Sequence, residues 1–425
     1  MKFRSTRNAS PLLGLSDALR QGLAPDGGLY VPESMPLFAT GDSDTANFQE
    51  IARMVLAPFF EGDVLEPHLG RLVDDAFNFP VPLIDIGHGT SLLELFHGPS
   101  AAFKDFGARF LASAISDLEV KSEKPLTILV ATSGDTGGAV AAAFWRKPGV
   151  NVVVLYPEGK VSARQAHQLG CWGDNIQTFA VRGVFDDCQR MVKEAFSSEK
   201  WHAALRLSSA NSINIGRLLP QVTYYAAASL WYVARHGVAP GFVIPSGNVG
   251  NATAAAWARE MGFPVREIVF AANANQPLTN WLSSGKYTPK KTIPTLANAM
   301  DVGAPSNMER LLDLYPTRPD FARAVSIDDK LIQETIRNGE EKWGQVFCPH
   351  TACAIAAREI VGGDHWIAVA TAHPAKFETV VEPLIGHAVG VPNALAELLN
   401  RPAHADLIDA NVESLAAALS VSNER

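Results

Sequence analysis

Short apolar runs alternate with stretches of helically spaced apolar residues, and the alternation begins near residue 87. Residues 126–132 read Leu-Thr-Ile-Leu-Val-Ala-Thr between Pro125 and Gly134. Residues 152–155, 242–244, 268–271 and 366–370 form shorter runs of the same kind. Unbroken apolar runs of this length predict strands buried on both faces, the habit of a parallel sheet. Helical spacing follows in between. Phe106, Phe110, Leu111, Ala114, Ile115 and Leu118 share one face of a helix starting after Lys104. Phe185, Cys188, Met191, Val192 and Phe196 repeat that pattern. Strand, helix, strand in this order predicts an α/β fold, whose ligands bind where strands end and helices begin.

Residues 1 to about 86 do not share the alternation. They are mixed and rich in turns, as at Ala24-Pro25-Asp26-Gly27-Gly28. No internal repeat or low-complexity tract interrupts the chain. Its 425 residues exceed one ordinary core, so two or three domains are expected.

Composition narrows the class. Hydrophobic residues make up 47% and charged residues 19%, the balance of a soluble globular enzyme. A net charge of −8 speaks against a nucleic-acid partner, which draws on a basic face. It leaves room for a local basic pocket that takes a small anion. Cys171, Cys188, Cys348 and Cys353 form neither a disulfide framework nor a CxxC pair, so no metal site is expected. Met1-Lys2-Phe3-Arg4 is basic but no apolar run follows it, and no window reaches the ~20 apolar residues of a membrane helix. The expected location is the cytoplasm, without a membrane partner.

Three strand-to-helix junctions carry candidate chemistry. Thr132-Ser133-Gly134-Asp135-Thr136-Gly137-Gly138 ends the 126–132 run. Its small residues let backbone amides approach a carboxylate or phosphate at a helix start. The same residues also make a tight βα turn capped by Asp or Thr. Pro245-Ser246-Gly247-Asn248-Val249-Gly250-Asn251 follows the 242–244 run and offers a second nest of N–H donors. It is neither a Walker loop nor a full GxGxxG, and a plain turn fits it equally. Ala370-Thr371-Ala372-His373-Pro374 ends the last run. Its hydroxyl either bonds a ring nitrogen or caps a short helix.

Single residues are read in the same two ways. Lys104 follows Ala101, Ala102 and Phe103, and partial desolvation there favours the neutral amine that forms a Schiff base. Most lysines, however, are solvated surface groups. Asn211-Ser212-Ile213-Asn214-Ile215-Gly216-Arg217 combines amides, a hydroxyl and a guanidinium, a phosphate clamp or an ordinary helix start with a surface arginine. His97, His350 and His373 are proton carriers or packed structural residues.

Taken together, these segments resemble one family. ELFHGPSAAFKDFGARF (94–110) is similar to the cofactor-lysine segment of threonine synthases. ATSGDTGGAVAAAF (131–144), NSINIGRLLPQ (211–221), PSGNVGN (245–251), NAMDVGAPSN (298–307) and TAHPAKF (371–377) follow in that family's order, and GLAPDGGLYVPE (22–33) resembles its start. The resemblance runs from about residue 20 to 390.

It implies a fold type II pyridoxal-phosphate enzyme of the α/β class: two α/β domains with the cofactor in the cleft, plus an N-terminal domain. By position, residues 1–86 would be that N-terminal domain and 87–390 the catalytic core. The smaller subdomain would span roughly 110–225, and 391–425 would be an extension packed on the core. Lys104 would carry pyridoxal 5′-phosphate. Gly247, Asn248, Val249, Gly250 and Asn251 would cradle its phosphate, Thr371 would bond its pyridine nitrogen, and Asp135 would face the ring. Ser133, Gly134 and Thr136 would receive the substrate carboxylate, and Asn211, Ser212 and Arg217 the substrate phosphate. The implied activity is that of a carbon–oxygen lyase, converting O-phospho-L-homoserine and water to L-threonine and phosphate in a monomer or dimer. The alternative is a serine or threonine dehydratase of the same fold, which has no γ-phosphate to bind. Four positions depart from the family pattern: Ser100 for threonine, Val249 for phenylalanine, Asn251 where some members have aspartate, and Cys348 for an acidic residue.

Overall fold

The structure, a computed structural model, describes residues 1–38, 46–317 and 319–421. Residues 39–45 of the N-terminal stretch and 422–425 of the C-terminal extension lie outside the described residues.

In chain order the strands are β1 (Phe3–Ser5), β2 (Tyr30–Pro32), β3 (Leu83–Asp85), β4 (Thr90–Glu94), β5 (Leu126–Ala131), β6 (Val150–Pro157), β7 (Ile176–Arg182), β8 (Arg206–Ser208), β9 (Gly241–Pro245), β10 (Glu267–Ala272), β11 (Ala322–Ser326), β12 (Trp366–Ala370) and β13 (Asp406–Asp409). They form three sheets: an antiparallel pair β1-β2, a six-stranded sheet in the order β11-β10-β9-β12-β4-β3, and a five-stranded sheet in the order β13-β7-β6-β5-β8. All pairings in the two larger sheets are parallel except β3 with β4.

The five predicted strands are β5, β6, β9, β10 and β12. Every residue of β5, β9 and β12 is buried, which is why each reads as an unbroken apolar run. The strands missed in the sequence lie at sheet edges or carry polar residues. Asp406, Leu407 and Asp409 of β13 are exposed at the edge beside β7. The two predicted helices are Lys104–Glu119 and Phe185–Phe196.

The chain crosses from the large sheet to the small one through the Lys104–Glu119 helix. It returns through the long helix Ile215–His236. Both helices are therefore buried along most of their length, and the N-terminal segment packs on them. The helix Phe48–Phe60 starts with a capping box, Asn47 accepting from Glu50 N while the Glu50 carboxylate accepts from Asn47 N. Phe60 meets Phe110 edge-on at 5.9 Å, Phe77 lies 5.7 Å from Phe106, and Phe106 meets Tyr224 at 5.1 Å. Each such ring contributes about 1.5–3 kcal/mol by burial. The N-terminal segment thus fixes the helix that begins with Lys104. Among the described residues no helix is long and apolar enough to cross a membrane, and no group of His, Cys, Asp or Glu is arranged to hold a metal ion.

Candidate functional site

The segment carrying Lys104 is stitched to the end of β12. Leu95 N donates to Ala370 O at 3.0 Å, Phe103 N to Thr371 O at 2.8 Å, and His373 N to Ala101 O at 3.0 Å. Ala101 takes a left-handed φ of 52° to make the turn. Asp105 Oδ2 then accepts from Ser100 N at 2.8 Å and closes the loop. These bonds set Lys104 and Thr371 side by side in the cleft between the sheets. Lys104 Nζ has no hydrogen-bond partner among the described residues; its nearest aromatic ring is Phe103, 5.7 Å away. Burial pushes its amine down to about 8, with Lys376 and Arg217 acting in the same direction and Asp135 opposing them. The neutral amine is the nucleophile, so carbonyl capture by Lys104 gains rate as pH rises and levels off above about 8 rather than near 10.5. The rate of imine absorbance with pyridoxal 5′-phosphate across pH 6–10 checks this; continued rise to pH 10 would contradict it.

The turn after β5 is built on Thr132, whose hydroxyl accepts from Gly134 N at 3.0 Å and Gly137 N at 2.9 Å. The N-cap position is Gly134, which has no side chain, so Thr132 supplies the capping oxygen from two residues upstream. Gly134 has φ 132°, and a Cβ there would stand 2.6 Å from Gln165 Nε2, so only glycine fits. Ser133 and Thr136 are half-buried, and their hydroxyls have no partner among the described residues. Asp135 is turned inward. Its Oδ1 lies 2.8 Å from Lys376 Nζ and accepts from Gln165 Nε2 at 3.2 Å.

Across the cleft, Gly247, Asn248, Val249, Gly250 and Asn251 form the turn into the helix Gly250–Glu260. Val249, β-branched, sits at φ 66°, a strained conformation of the kind that collects at binding sites. No side chain caps this helix, and the backbone N–H groups from Gly247 to Asn251 find no acceptor among the described residues. Asn251 Oδ1 accepts from Tyr224 Oη at 2.6 Å and Tyr225 Oη at 2.7 Å, while its buried Nδ2 has no partner. Asn248 Oδ1 accepts from Ser306 N at 2.9 Å, which ties the turn to the 298–307 segment.

Arg217 stands on the segment joined to this turn, where Asn307 bonds both Asn248 O and Ser212 O. Arg217 is 3% exposed, not the surface arginine of the plainer reading. Its guanidinium reaches Ala210 O, its buried Nε has no partner, and no carboxylate lies within ion-pair distance among the described residues. Burial lowers its pKa to about 10, against a weaker pull from Asp105. Gly107 makes room for it, since a Cβ there would lie 2.6 Å from Arg217 O. Asn211 and Ser212 are half-buried on the preceding turn, and the buried Asn211 Oδ1 is also unpaired. Asn214 caps the helix through Gly216 N at 2.9 Å and donates to Leu19 O at 2.9 Å, which anchors the turn on the N-terminal segment.

Several residues that organise the site were not singled out in the sequence. Arg310 is fully buried, yet every bond it makes is internal: Nε to Tyr30 O at 3.1 Å, Nη1 to Asn307 Oδ1 at 2.7 Å and Ser212 O at 3.2 Å, Nη2 to Ile213 O at 2.7 Å. Asn307 links the two loops, its N donating to Asn248 O at 3.4 Å and its Nδ2 to Ser212 O at 3.3 Å. Tyr224, Tyr225 and Lys376 complete the frame. Asn307 and Lys376 lie inside matched motifs; Arg310, a lone arginine in an amphipathic helix, gives no signal in the sequence. Arg310→Met leaves Tyr30 O and Ile213 O without their arginine donor and costs on the order of 3 kcal/mol. Thermal unfolding should begin earlier, and an unchanged melting curve would contradict the frame described.

The histidines take structural roles in this geometry. His350 Nε2 accepts from Ala299 N at 3.1 Å, and burial lowers its pKa to about 4. His373 Nδ1 accepts from Ala375 N at 3.2 Å, so it caps the turn that Thr371 leaves uncapped, and burial also lowers it to about 4. His97 pairs with Glu94 at 2.7 Å. Cys348 occupies the N-cap of the helix Pro349–Val361, its Sγ accepting from Thr351 N at 3.4 Å, the place of a more usual acidic cap. A separate recess of about 380 Å³ is lined by Phe96, His97, His373 and residues 390–394, with none of Lys104, Asp135, Asn248 or Thr371 in its walls.

With the site laid out, its relatives are informative. Residues 89–371 match the family described as "Pyridoxal-phosphate dependent enzyme". Residues 2–77 match "Threonine synthase N terminus" and 351–419 match "Threonine synthase, C-terminal". Threonine synthase of Serratia marcescens is 40% identical over 406 residues, covering 93% of this chain and 94% of the relative. That of Escherichia coli is 39% identical over 412 residues, 95% of each. The crystal structure of the Escherichia coli threonine synthase superposes with a TM-score of 0.91 at 37% identity over 99% of both chains. The pyridoxal-phosphate-bound threonine synthase of Brucella melitensis gives 0.92 at 33% over 100% of both. A threonine deaminase from Solanum lycopersicum shares only the fold, at 18% identity and a TM-score of 0.56.

Proposed function

This chain belongs to the threonine synthase family of pyridoxal-phosphate-dependent enzymes, and from that premise we propose that it acts on O-phospho-L-homoserine, with Lys104 as cofactor lysine and Arg217 as the centre of a phosphate clamp. The observation that carries this reading is the unpaired Arg217 guanidinium. A buried charge without a counter-ion is costly, and a phosphate dianion removes that cost. Arg310, just as buried, already has its acceptors and has no such call on a ligand. A dehydratase substrate brings no phosphate and would leave Arg217 unpaired.

The residues also fit pyridoxal 5′-phosphate. The unpartnered N–H groups of Gly247, Asn248, Val249, Gly250 and Asn251, with Asn251 Nδ2, suit its phosphate at a helix start. The Thr371 hydroxyl suits its ring nitrogen and, being neutral, leaves that nitrogen unprotonated. Asp135 would face the ring side from the opposite wall. Bound there, the cofactor supplies an electron sink for negative charge at the substrate's Cα.

The chain's own residues do the rest. Ser133, Gly134 and Thr136 hold the substrate carboxylate at the start of their helix. The Lys104 amine would carry protons at Cα and then Cβ. Asn211, Ser212 and Arg217 hold the γ-phosphate and stabilise its charge as the Cγ–O bond breaks. Water adds at Cβ after the phosphate has left, so the cleft has to exclude it until then. In this reading residues 1–86 brace the clamp through Leu19 and Tyr30, and the cofactor would lie between the two larger sheets, the smaller of which takes its edge strand β13 from residues 406–409. Phosphate and threonine measured together from O-phospho-L-homoserine test the reading. Equal yields are expected; phosphate without threonine would overturn it.

A further inference from the structure

Lys376 lies on the turn Pro374–Phe377 after β12, where the mechanism does not use it. Its Nζ is 2.8 Å from Asp135 Oδ1 and 2.8 Å from Ser100 O. The two side chains are 1% and 4% exposed, so the pair is closed to water. Asp135 heads the helix after β5 and Lys376 follows β12, so the bond spans the cleft beside Lys104 from the small sheet to the large one.

Four charged or titratable groups from other elements act on Lys104: Asp135, Lys376, Arg217 from the Ile215–His236 helix, and His350 from the Pro349–Val361 helix. Asp105 is its neighbour on its own helix. His350 is neutral, since its Nε2 accepts a backbone bond. Among the described residues, the one negative group reaching Lys104 across the cleft is therefore Asp135. An unneutralised buried carboxylate would hold Lys104 as an ammonium, which neither attacks a carbonyl nor takes a proton. The pair is not needed merely to clasp the sheets. Arg164 already does so, with Nη1 on Ala375 O at 2.5 Å and Nε 3.6 Å from Glu378.

We propose that Lys376 is a positioning residue of this site: fixed between Ser100 O and Asp135, its ammonium engages the Asp135 carboxylate and so leaves Lys104 a free amine. This rests on the reading of Lys104 as the cofactor lysine. The burial and charge balance around Lys104 agree with it, Asp135 raising and Lys376 lowering its proton affinity.

The test is competitive acylation of the cofactor-free full-length chain across pH 6–10, with the Lys104 peptide quantified by mass spectrometry. Neither turnover nor cofactor enters this readout. Wild type should titrate at Lys104 near 8. Lys376→Met should raise that midpoint by about one unit or more, the size of an opposite charge at close range. Lys376→Arg should keep it close to wild type. Asp135→Asn should lower it, and Asp135→Asn with Lys376→Met should restore it to near the wild-type value. An unmoved midpoint in Lys376→Met overturns the proposal. If that variant does not fold, an unmoved or raised midpoint in Asp135→Asn does so. Borohydride reduction of wild type loaded with pyridoxal 5′-phosphate separates the two failures. Label on Lys104 with an unmoved midpoint sinks this inference alone; label on another lysine sinks the site reading and the inference together.

Discussion

Lys104→Ala should lose threonine formation by at least about 10⁴-fold, roughly 5.5 kcal/mol of transition-state stabilisation, and should show no imine absorbance with pyridoxal 5′-phosphate. The size follows from two duties assigned to one nitrogen, covalent attachment and proton transfer at two carbons, and losing either is costly. The fold should not suffer. Lys104 Nζ has no hydrogen-bond partner among the described residues, and its charged form is already disfavoured by burial. Its removal strands no partner, so circular dichroism and the melting curve should match wild type. A variant retaining more than a tenth of the activity would end the assignment. A variant that is inactive because it is unfolded would contradict the packing described for the start of that helix.

Arg217→Met should lower kcat/KM for O-phospho-L-homoserine by about 10²–10³, or 2.7–4 kcal/mol, the usual effect of removing one donor from a preorganised charge-stabilising site. Pyridoxal-phosphate capture should be nearly unchanged, because the phosphate cradle and Lys104 stand on other elements. Stability should fall little, since only the bond to Ala210 O is lost and an unpaired buried charge goes with it. Arg217→Lys should recover only part of the rate, because an ammonium cannot offer the planar fork that meets a phosphate with two bonds. Equal loss of turnover and cofactor capture would mean that Arg217 is structural. Arg310 is the internal control. Its four hydrogen bonds brace the clamp from behind, so Arg310→Met should reduce stability and turnover together.

The two arginines also mark where sequence reasoning stops. Both are single arginines near helix starts, and nothing local separates them. Arg217 was found because it stood in a matched segment. Arg310 was invisible because Tyr30, Ser212 and Ile213, whose carbonyls it bonds, come from two distant parts of the chain, and only Asn307 is a near neighbour. The same holds for Asp135. Its position at the βα turn was legible, but its partner Lys376 lies 241 residues further on by numbering, in a segment read for Thr371 and His373. The plainer readings of His350 and His373 as structural groups fit the geometry, although the bonds they make were not foreseeable.

By itself the sequence determined the α/β class, the buried central strands, the two helices with clear apolar faces, and the strand-to-helix junctions on which the candidate residues stand. These are local properties: burial on both faces writes an unbroken apolar run, and a nest of small residues at a strand end is short enough to read directly. Only the tertiary structure decided which polar groups are satisfied and which are left open. It closed Arg310 and opened Arg217, capped one turn with His373 while the Thr371 hydroxyl has no partner among the described residues, and set Lys376 against Asp135 beside Lys104. The reason is physical: hydrogen-bond satisfaction and charge balance inside a protein depend on which distant segments meet, and no spacing along the chain records that.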